Sequence, residues 1–95
     1  MYYIYILKSA KDGSIYIGFS SDLRKRFYEH NAGKVKSTKK RKPWKLIYYE
    51  AYLAKQDAVY RERMLKLHAK GLAQLKRRIK YSLSKDFYEP SKGVG

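Results

Sequence analysis

The sequence predicts an α+β domain in which helices flank a three-stranded, mainly antiparallel sheet, in the order β-β-α-β-α-α. Three observations lead there. Two extended, β-branched and aromatic segments near the N-terminus are separated by a turn signal; apolar residues later recur with a helical period; and 95 residues suffice for one core only. A chain this short buries roughly two-thirds of the surface its unfolded form exposes, which excludes a large cofactor-binding architecture.

Residues 2–8 place Tyr3, Tyr5 and Leu7 on one side of the pleat and Ile4 and Ile6 on the other, so this strand is apolar on both faces and belongs in the centre. Lys11-Asp12-Gly13-Ser14 signals a turn, and Ile15-Tyr16-Ile17-Gly18 resumes the extended pattern. With residues 10–13 as the loop, Leu7 faces Tyr16 and Tyr5 faces Gly18. Tyr5 and Tyr16 then share a sheet face as diagonal neighbours.

Ser20, Ser21 and Asp22 are N-cap candidates for a helix of about ten residues that Asn31-Ala32-Gly33 would close. Leu23, Arg26, Phe27 and His30 fall on one stripe of it, so two polar residues face the sheet. The segment from Lys34 to Lys45 has no acid and seven cations: Lys34, Lys36, Lys39, Lys40, Arg41, Lys42 and Lys45. It reads as an exposed, mobile loop. Leu46 to Tyr52 has the composition of a third strand. From Gln56 the helical period returns, with Ala58, Val59, Leu65, Ala69 and Leu72 on one face; Gly71 is expected to bend or break it before a short helix over Leu72–Ile79. Residues 1–83 are read as the folded domain and residues 84–95 as a flexible tail.

Lysine and arginine number 23 against eight acids, for a net charge of +15, a field that attracts polyanions. The absence of Cys removes disulfides, thiolate zinc sites and cysteine nucleophiles, and makes the cytoplasm the expected compartment. Two histidines, His30 and His68, are too few for an all-protein zinc site. No apolar stretch is long enough for a membrane span, and the N-terminus lacks a signal-peptide leader, so it is expected to be retained and folded. Charge alone leaves nucleic acid, acidic membrane and acidic protein as partners. A membrane-surface protein would need a helix with a wide apolar face free of core duties, and none is visible.

Tyr3-Ile4-Tyr5 followed by Tyr16-Ile17-Gly18 in the next strand resembles the paired motif of the GIY-YIG endonuclease family. The resemblance runs from about Tyr2 to about Leu83 and is closest to the small single-domain bacterial branch. Asp12-Gly13-Ser14, Asp22-Leu23, Arg26, His30-Asn31-Ala32-Gly33-Lys34, the Thr38 to Pro43 basic stretch and Arg61-Glu62 fall in that branch's order. The resemblance implies hydrolysis of DNA phosphodiesters with one divalent ion, Mg²⁺ or Mn²⁺, and no small-molecule cofactor. It assigns catalytic roles to Tyr5, Tyr16, Arg26 and His30, and metal binding to Glu62. Two departures are visible: Tyr3 stands where the family name has Gly, and Phe19 follows Gly18 where some DNA-repair members carry Lys.

The residue chemistry agrees with these roles. Phenols can orient and deprotonate water, a guanidinium offers a planar fork to phosphate oxygens, and one carboxylate with substrate phosphate and water suits Mg²⁺. Gly18 would let the substrate backbone approach the strand. The seven cations of the 34–45 segment are expected to grip the nucleic-acid backbone, with Trp44 stacking on a base or pinning the loop. Alternatives stand beside each: Tyr5 and Tyr16 as packing residues, His30 as a helix C-cap, Arg26 as a simple phosphate contact, and Glu62 as a solvated partner of Lys66. Against that last reading, Ala58, Val59 and Leu65 place Glu62 near the core-facing side. Asp12, Asp22, Glu29, Glu50 and Asp57 read as turn, capping or strand-end residues, so no paired-carboxylate centre is expected.

Two functions therefore compete. One is a metal-dependent DNA endonuclease directed by DNA structure, of a repair or recombination type, because a lone catalytic domain has no module for reading a long sequence. The other is a non-catalytic basic nucleic-acid-binding protein. The sequence leaves open RNA as a substrate and the oligomeric state.

Overall fold

The computed structural model describes residues 1–84, and the expectation of a flexible tail falls on residues outside that range apart from Ser84. The order along the chain is β1 (Tyr2–Ser9), β2 (Ile15–Ser20), α1 (Leu23–Asn31), a 3₁₀ turn (Lys39–Arg41), β3 (Trp44–Tyr52), α2 (Lys55–Leu67), α3 (Ala69–Arg78) and the single turn α4 (Lys80–Leu83). The sheet is antiparallel throughout, in the order β2-β1-β3, so the strand that is apolar on both faces is the central one.

The hairpin has the expected register, with Tyr5 opposite Gly18 and Leu7 opposite Tyr16. Gly13 turns the chain at φ 77°, and the Asp12 carboxylate accepts from both the backbone N–H and the hydroxyl of Ser14. These bonds hold the Asp12 carboxyl below the usual range for aspartate. On the other edge, β3 carries a bulge: Tyr48 lies opposite Ile6 but Leu46 opposite Leu7, leaving Ile47 as the extra residue.

Each face of the sheet has its own apolar cluster. Ile4, Ile6 and Ile17 pack against Ala58 and Leu65 of α2 and against Leu75 and Ile79. Tyr5, Leu7 and Trp44 form the other cluster, covered by Leu23 and Phe27 of α1. Asp22 is the N-cap of α1, its carboxylate accepting from the Lys25 N–H at 3.1 Å. Arg61 forks onto the Glu50 carboxylate with both bonds at 2.9 Å, and the Tyr48 and Tyr52 hydroxyls donate to the same group, so β3 and α2 are tied through one half-buried anion. Burial works to raise the Glu50 carboxyl, but these donors hold it below its ordinary value; burial and the same anion push Tyr52 up to about 12. Glu50 is thus more than the strand-end residue expected.

Two expectations about the backbone are corrected. The long helix breaks at His68, not Gly71. His68 is extended (φ −121°, ψ 102°) and both ends α2 and precedes α3, while Gly71 lies in the first turn of α3. A break there lets Leu65, Leu75 and Ile79 reach the same isoleucine face. The basic segment, expected to be mobile, is folded onto the domain: Val35 and Thr38 are buried, the Ser9 hydroxyl donates to the Arg41 carbonyl at 2.5 Å, and Lys39–Arg41 form the 3₁₀ turn. Few apolar residues mark that segment, yet two of its small side chains plug the space beside α1. No helix among the described residues is long and apolar enough to cross a membrane.

Candidate active site

The even spacing of β1 sends Tyr5 to the α1 side of the sheet, and the antiparallel register brings Tyr16 diagonally beside it. Their ring centroids are 6.4 Å apart. His30, on the stripe of α1 that faces the sheet, completes the group. Its ring is fully buried, meets Tyr16 edge-on at 5.0 Å between centroids, and bonds the Tyr5 hydroxyl through Nε2 at 2.8 Å. On its far side Nδ1 lies 2.7 Å from the Thr38 hydroxyl oxygen.

The tautomer follows from the hydroxyls. Thr38 has the Val35 carbonyl as an acceptor for its O–H, at a long 3.4 Å, so its oxygen can accept from the Nδ1–H of His30. Nε2 then accepts the Tyr5 O–H. Burial lowers the His30 pKa and the Arg26 charge lowers it further, while Glu29 opposes them. The imidazole is therefore neutral, as this pattern requires. Burial also pushes the Tyr5 phenol up to about 12, with Tyr16 adding to the rise and the neighbouring Arg26 acting against it. Tyr5 keeps its proton at neutral pH.

At Gly18 a Cβ would lie 2.4 Å from the Tyr5 hydroxyl oxygen and the ring carbon bearing it, so the glycine makes room for the Tyr5 ring.

Arg26 is partly exposed on α1, ion-paired with Glu29 at 3.2 Å, and its charge reaches Tyr5. Glu62 lies close enough for its charge to affect Tyr5, but its carboxylate binds Lys66 at 2.9 Å, the partner expected in the ion-pair reading. With its side chain 21% exposed, Glu62 is half-buried. No group of three or more His, Cys, Asp or Glu able to hold a metal occurs among the described residues. The donor set thus fits a single hard cation on one carboxylate, completed by water and phosphate oxygens, and does not fit a caged or two-metal centre.

Of the basic segment, Lys34, Lys36, Lys39, Lys40, Lys42 and Lys45 are exposed. Arg41 is not a free cation: its guanidinium lies 5.0 Å from the Trp44 ring and donates to the Ser14 hydroxyl and the Ser37 carbonyl. Trp44 is buried and its indole N–H donates to the Thr38 carbonyl at 3.0 Å, so it pins the loop and presents no face to a base. Asn31 reinforces the junction, accepting from the Trp44 N–H and donating to its carbonyl. Thr38 and Asn31 are the positioning residues that the sequence reading did not assign. A hydroxyl eight residues beyond His30 carries no periodic signal; only the fold of the basic loop brings it to Nδ1.

The sequence matches the GIY-YIG catalytic domain over residues 1–78, from β1 to the end of α3. The chain belongs to the GIY-YIG family. It is similar to small bacterial relatives called UPF0213 proteins. One from Bacillus pumilus is 45% identical over 62 residues, covering 64% of this chain and 62% of the relative. One from Streptococcus pneumoniae is 45% identical over 65 residues, 67% of this chain and 65% of the relative. A Staphylococcus epidermidis relative is 40% identical over 70 residues, 73% of this chain and 84% of its own length. The matches to the first two therefore span slightly less than two-thirds of those proteins. The solution NMR structure of a UPF0213 protein from Bacillus halodurans superposes with a TM-score of 0.55 at 29% identity, covering 95% of this chain and all of the other. The sheet flanked by helices is thus that of a GIY-YIG catalytic domain.

Proposed function

We propose that this protein is a metal-dependent endonuclease that hydrolyses DNA phosphodiester bonds in the cytoplasm, directed by DNA structure in repair or recombination. The observation that carries the reading is the hydrogen-bonded line Thr38–His30–Tyr5 beneath Tyr16, flanked by Arg26 and Glu62. A protein that only binds phosphates has no need of a buried neutral imidazole behind two phenols.

In this reading Tyr16, half-buried and uppermost, orients the attacking water. Tyr5 is only 1% exposed and keeps its proton; bonded to His30 Nε2 and packed beside the Tyr16 ring, it positions Tyr16 rather than acting as the base. Thr38 fixes the His30 ring that holds it. Arg26 takes the non-bridging phosphate oxygens, and the exposed lysines of the 34–45 segment hold the flanking backbone. Glu62 would hold one Mg²⁺ or Mn²⁺, whose contribution when bound is to offset the negative charge that develops on the phosphate. The ion pair between Glu62 and Lys66 is the observation that favours the second reading, a basic binding protein without catalysis.

The test is incubation of the purified protein with linear, nicked, flapped and branched DNAs, and with RNA of matching shape, in Mg²⁺ or in excess chelator. Cleavage of structured DNA that chelator abolishes is the expected result. Binding without cleavage of any member of the panel selects the second reading, and undiminished cutting in chelator overturns the metal-dependent mechanism.

A further inference from the structure

The same sheet face carries a second feature, on the β3 side of Tyr5. The residue paired with Tyr5 there is Tyr49, and Tyr49 meets the ring of Tyr3 edge-on with centroids 6.0 Å apart. Together with Leu46, Leu23 and Phe27 these rings line an open groove of about 590 Å³, rimmed at the start of α1 by Ser21, Asp22 and Arg24. Tyr49, on the edge strand β3, is 53% exposed, so its ring face is open to a ligand. The groove exists because of the bulge at Ile47, which brings Leu46 and Tyr49 to one face although they are three residues apart.

We propose that this groove binds one unpaired nucleobase of the substrate, stacked on Tyr49 and backed by Tyr3, with Arg24 holding the adjoining phosphate. The inference rests on the nuclease reading for its biological setting and deepens it by naming the substrate class: DNA with a displaced or single-stranded segment. Three features favour that occupant. The chain carries +15, and Arg24 is an exposed cation at the groove's rim, so a polyanion is the partner the field selects. A tyrosine face stacks on any base, whereas a base within a duplex already has both faces covered by its neighbours. Asp22 at the rim repels a bare phosphate but not a neutral base, and its carboxylate is engaged as the N-cap of α1.

The groove adjoins the candidate active site through shared elements, α1 and the β1–β3 pair. Arg26 and Phe27 are successive residues of α1, one serving the Tyr5 group and the other lining the groove, and Tyr5 itself pairs with Tyr49. A base seated there would anchor the strand beside the scissile position. Cleavage next to the junction between paired and unpaired DNA follows from that placement.

The experiment is a binding titration in excess chelator, where no cutting interferes. The probe is a flapped DNA with 2-aminopurine in its unpaired strand, and the control is the fully paired duplex carrying the same label. Stacking on Tyr49 should quench the flap probe and leave the duplex unquenched. Tyr49→Ser should abolish the quench and weaken flap binding roughly tenfold, as expected for one aromatic–base stack, with duplex affinity and melting temperature kept; Tyr49→Phe should retain the quench. A quench that persists in Tyr49→Ser, or an equal loss for flap and duplex, overturns the proposal. So does concentration-dependent self-association that Tyr49→Ser abolishes, since the occupant would then be a second copy of the chain. A specific quench by a protein that cuts nothing in Mg²⁺ would leave the groove standing and remove the nuclease reading, so the two fail separately.

Discussion

The ring of Tyr5 lies across Gly18 so closely that a Cβ on that glycine would come within 2.4 Å of the hydroxyl oxygen. Tyr5 is also the residue that bonds His30 Nε2, so the missing side chain at position 18 sets the geometry of the whole line. Gly18→Ala should displace the phenol, break that bond and cost about 1 to 3 kcal/mol, the usual range for overpacking. Calorimetric melting and the His30 imidazole NMR shifts read the two effects. A variant of unchanged stability and unchanged His30 shifts would mean that the Tyr5 ring has no need of the space.

Thr38→Val preserves shape but strands the Nδ1–H of a fully buried histidine. The expected loss is about 1 to 3 kcal/mol, and the imidazole should shift away from the tautomer with Nδ1 protonated, visible in ¹⁵N spectra. Thr38→Ser should restore both. If Thr38→Val shows the same nitrogen shifts as the parent protein, the hydroxyl does not choose the tautomer.

His30 also links stability to pH. Its folded pKa lies below the ordinary 6.5, so in acid the unfolded chain binds its proton first. The stabilising effect of the neutral ring is complete above pH 6.5 and declines as the pH falls from there toward the depressed folded value. Melting temperature should therefore drop with acidification through that window, and the slope should lessen in His30→Gln. Equal slopes for the two proteins would assign the acid sensitivity to other groups.

Tyr16→Phe removes one hydroxyl from a half-buried ring and should lower turnover on the order of 10²-fold or more while the fold is kept. Glu62→Gln separates the two functional readings. In the endonuclease, metal affinity and cleavage fall together and DNA binding survives or tightens, because a negative charge near the phosphates is gone. In the binding protein the change removes only a partly exposed i,i+4 ion pair with Lys66, worth about 0.3 to 0.5 kcal/mol, and little else moves. Metal titration, cleavage rate and duplex binding on one variant decide between them.

Salt dependence tests the basic segment. Replacing Lys36, Lys39 and Lys40 by Ser should flatten the slope of log K against log[salt] by about 0.9 for each duplex phosphate no longer neutralised. These lysines are exposed, whereas Arg41 is tied to Ser14, Ser37 and the Trp44 ring, so its removal would disturb the fold as well as the charge. An unchanged slope in the triple variant would place the nucleic acid on another face.

Local pattern carries the hairpin, the stripe of α1 and the pairing of Tyr5 with Tyr16, because strand alternation and the helical period are written into neighbouring residues, and a four-residue turn with one glycine sets the register. The motif spacing carried the family for the same reason. Other features depend on residues far apart in the chain. Alternation alone would put Leu46 and Tyr48 on one face of β3; the bulge at Ile47 separates them, so only the folded sheet decides that Leu46 and Tyr49 line one groove while Tyr48, Glu50 and Tyr52 meet Arg61 on the other side. A buried hydroxyl at Thr38 and a glycine that clears space for Tyr5 are likewise consequences of packing. A stretch with seven cations in twelve residues looks like a solvated loop until Trp44, Ser9 and Asn31 supply the hydrogen bonds that hold it. Periodicity reports which way a side chain points, but the partner it finds is settled by tertiary contacts, where an unsatisfied buried polar group would be costly.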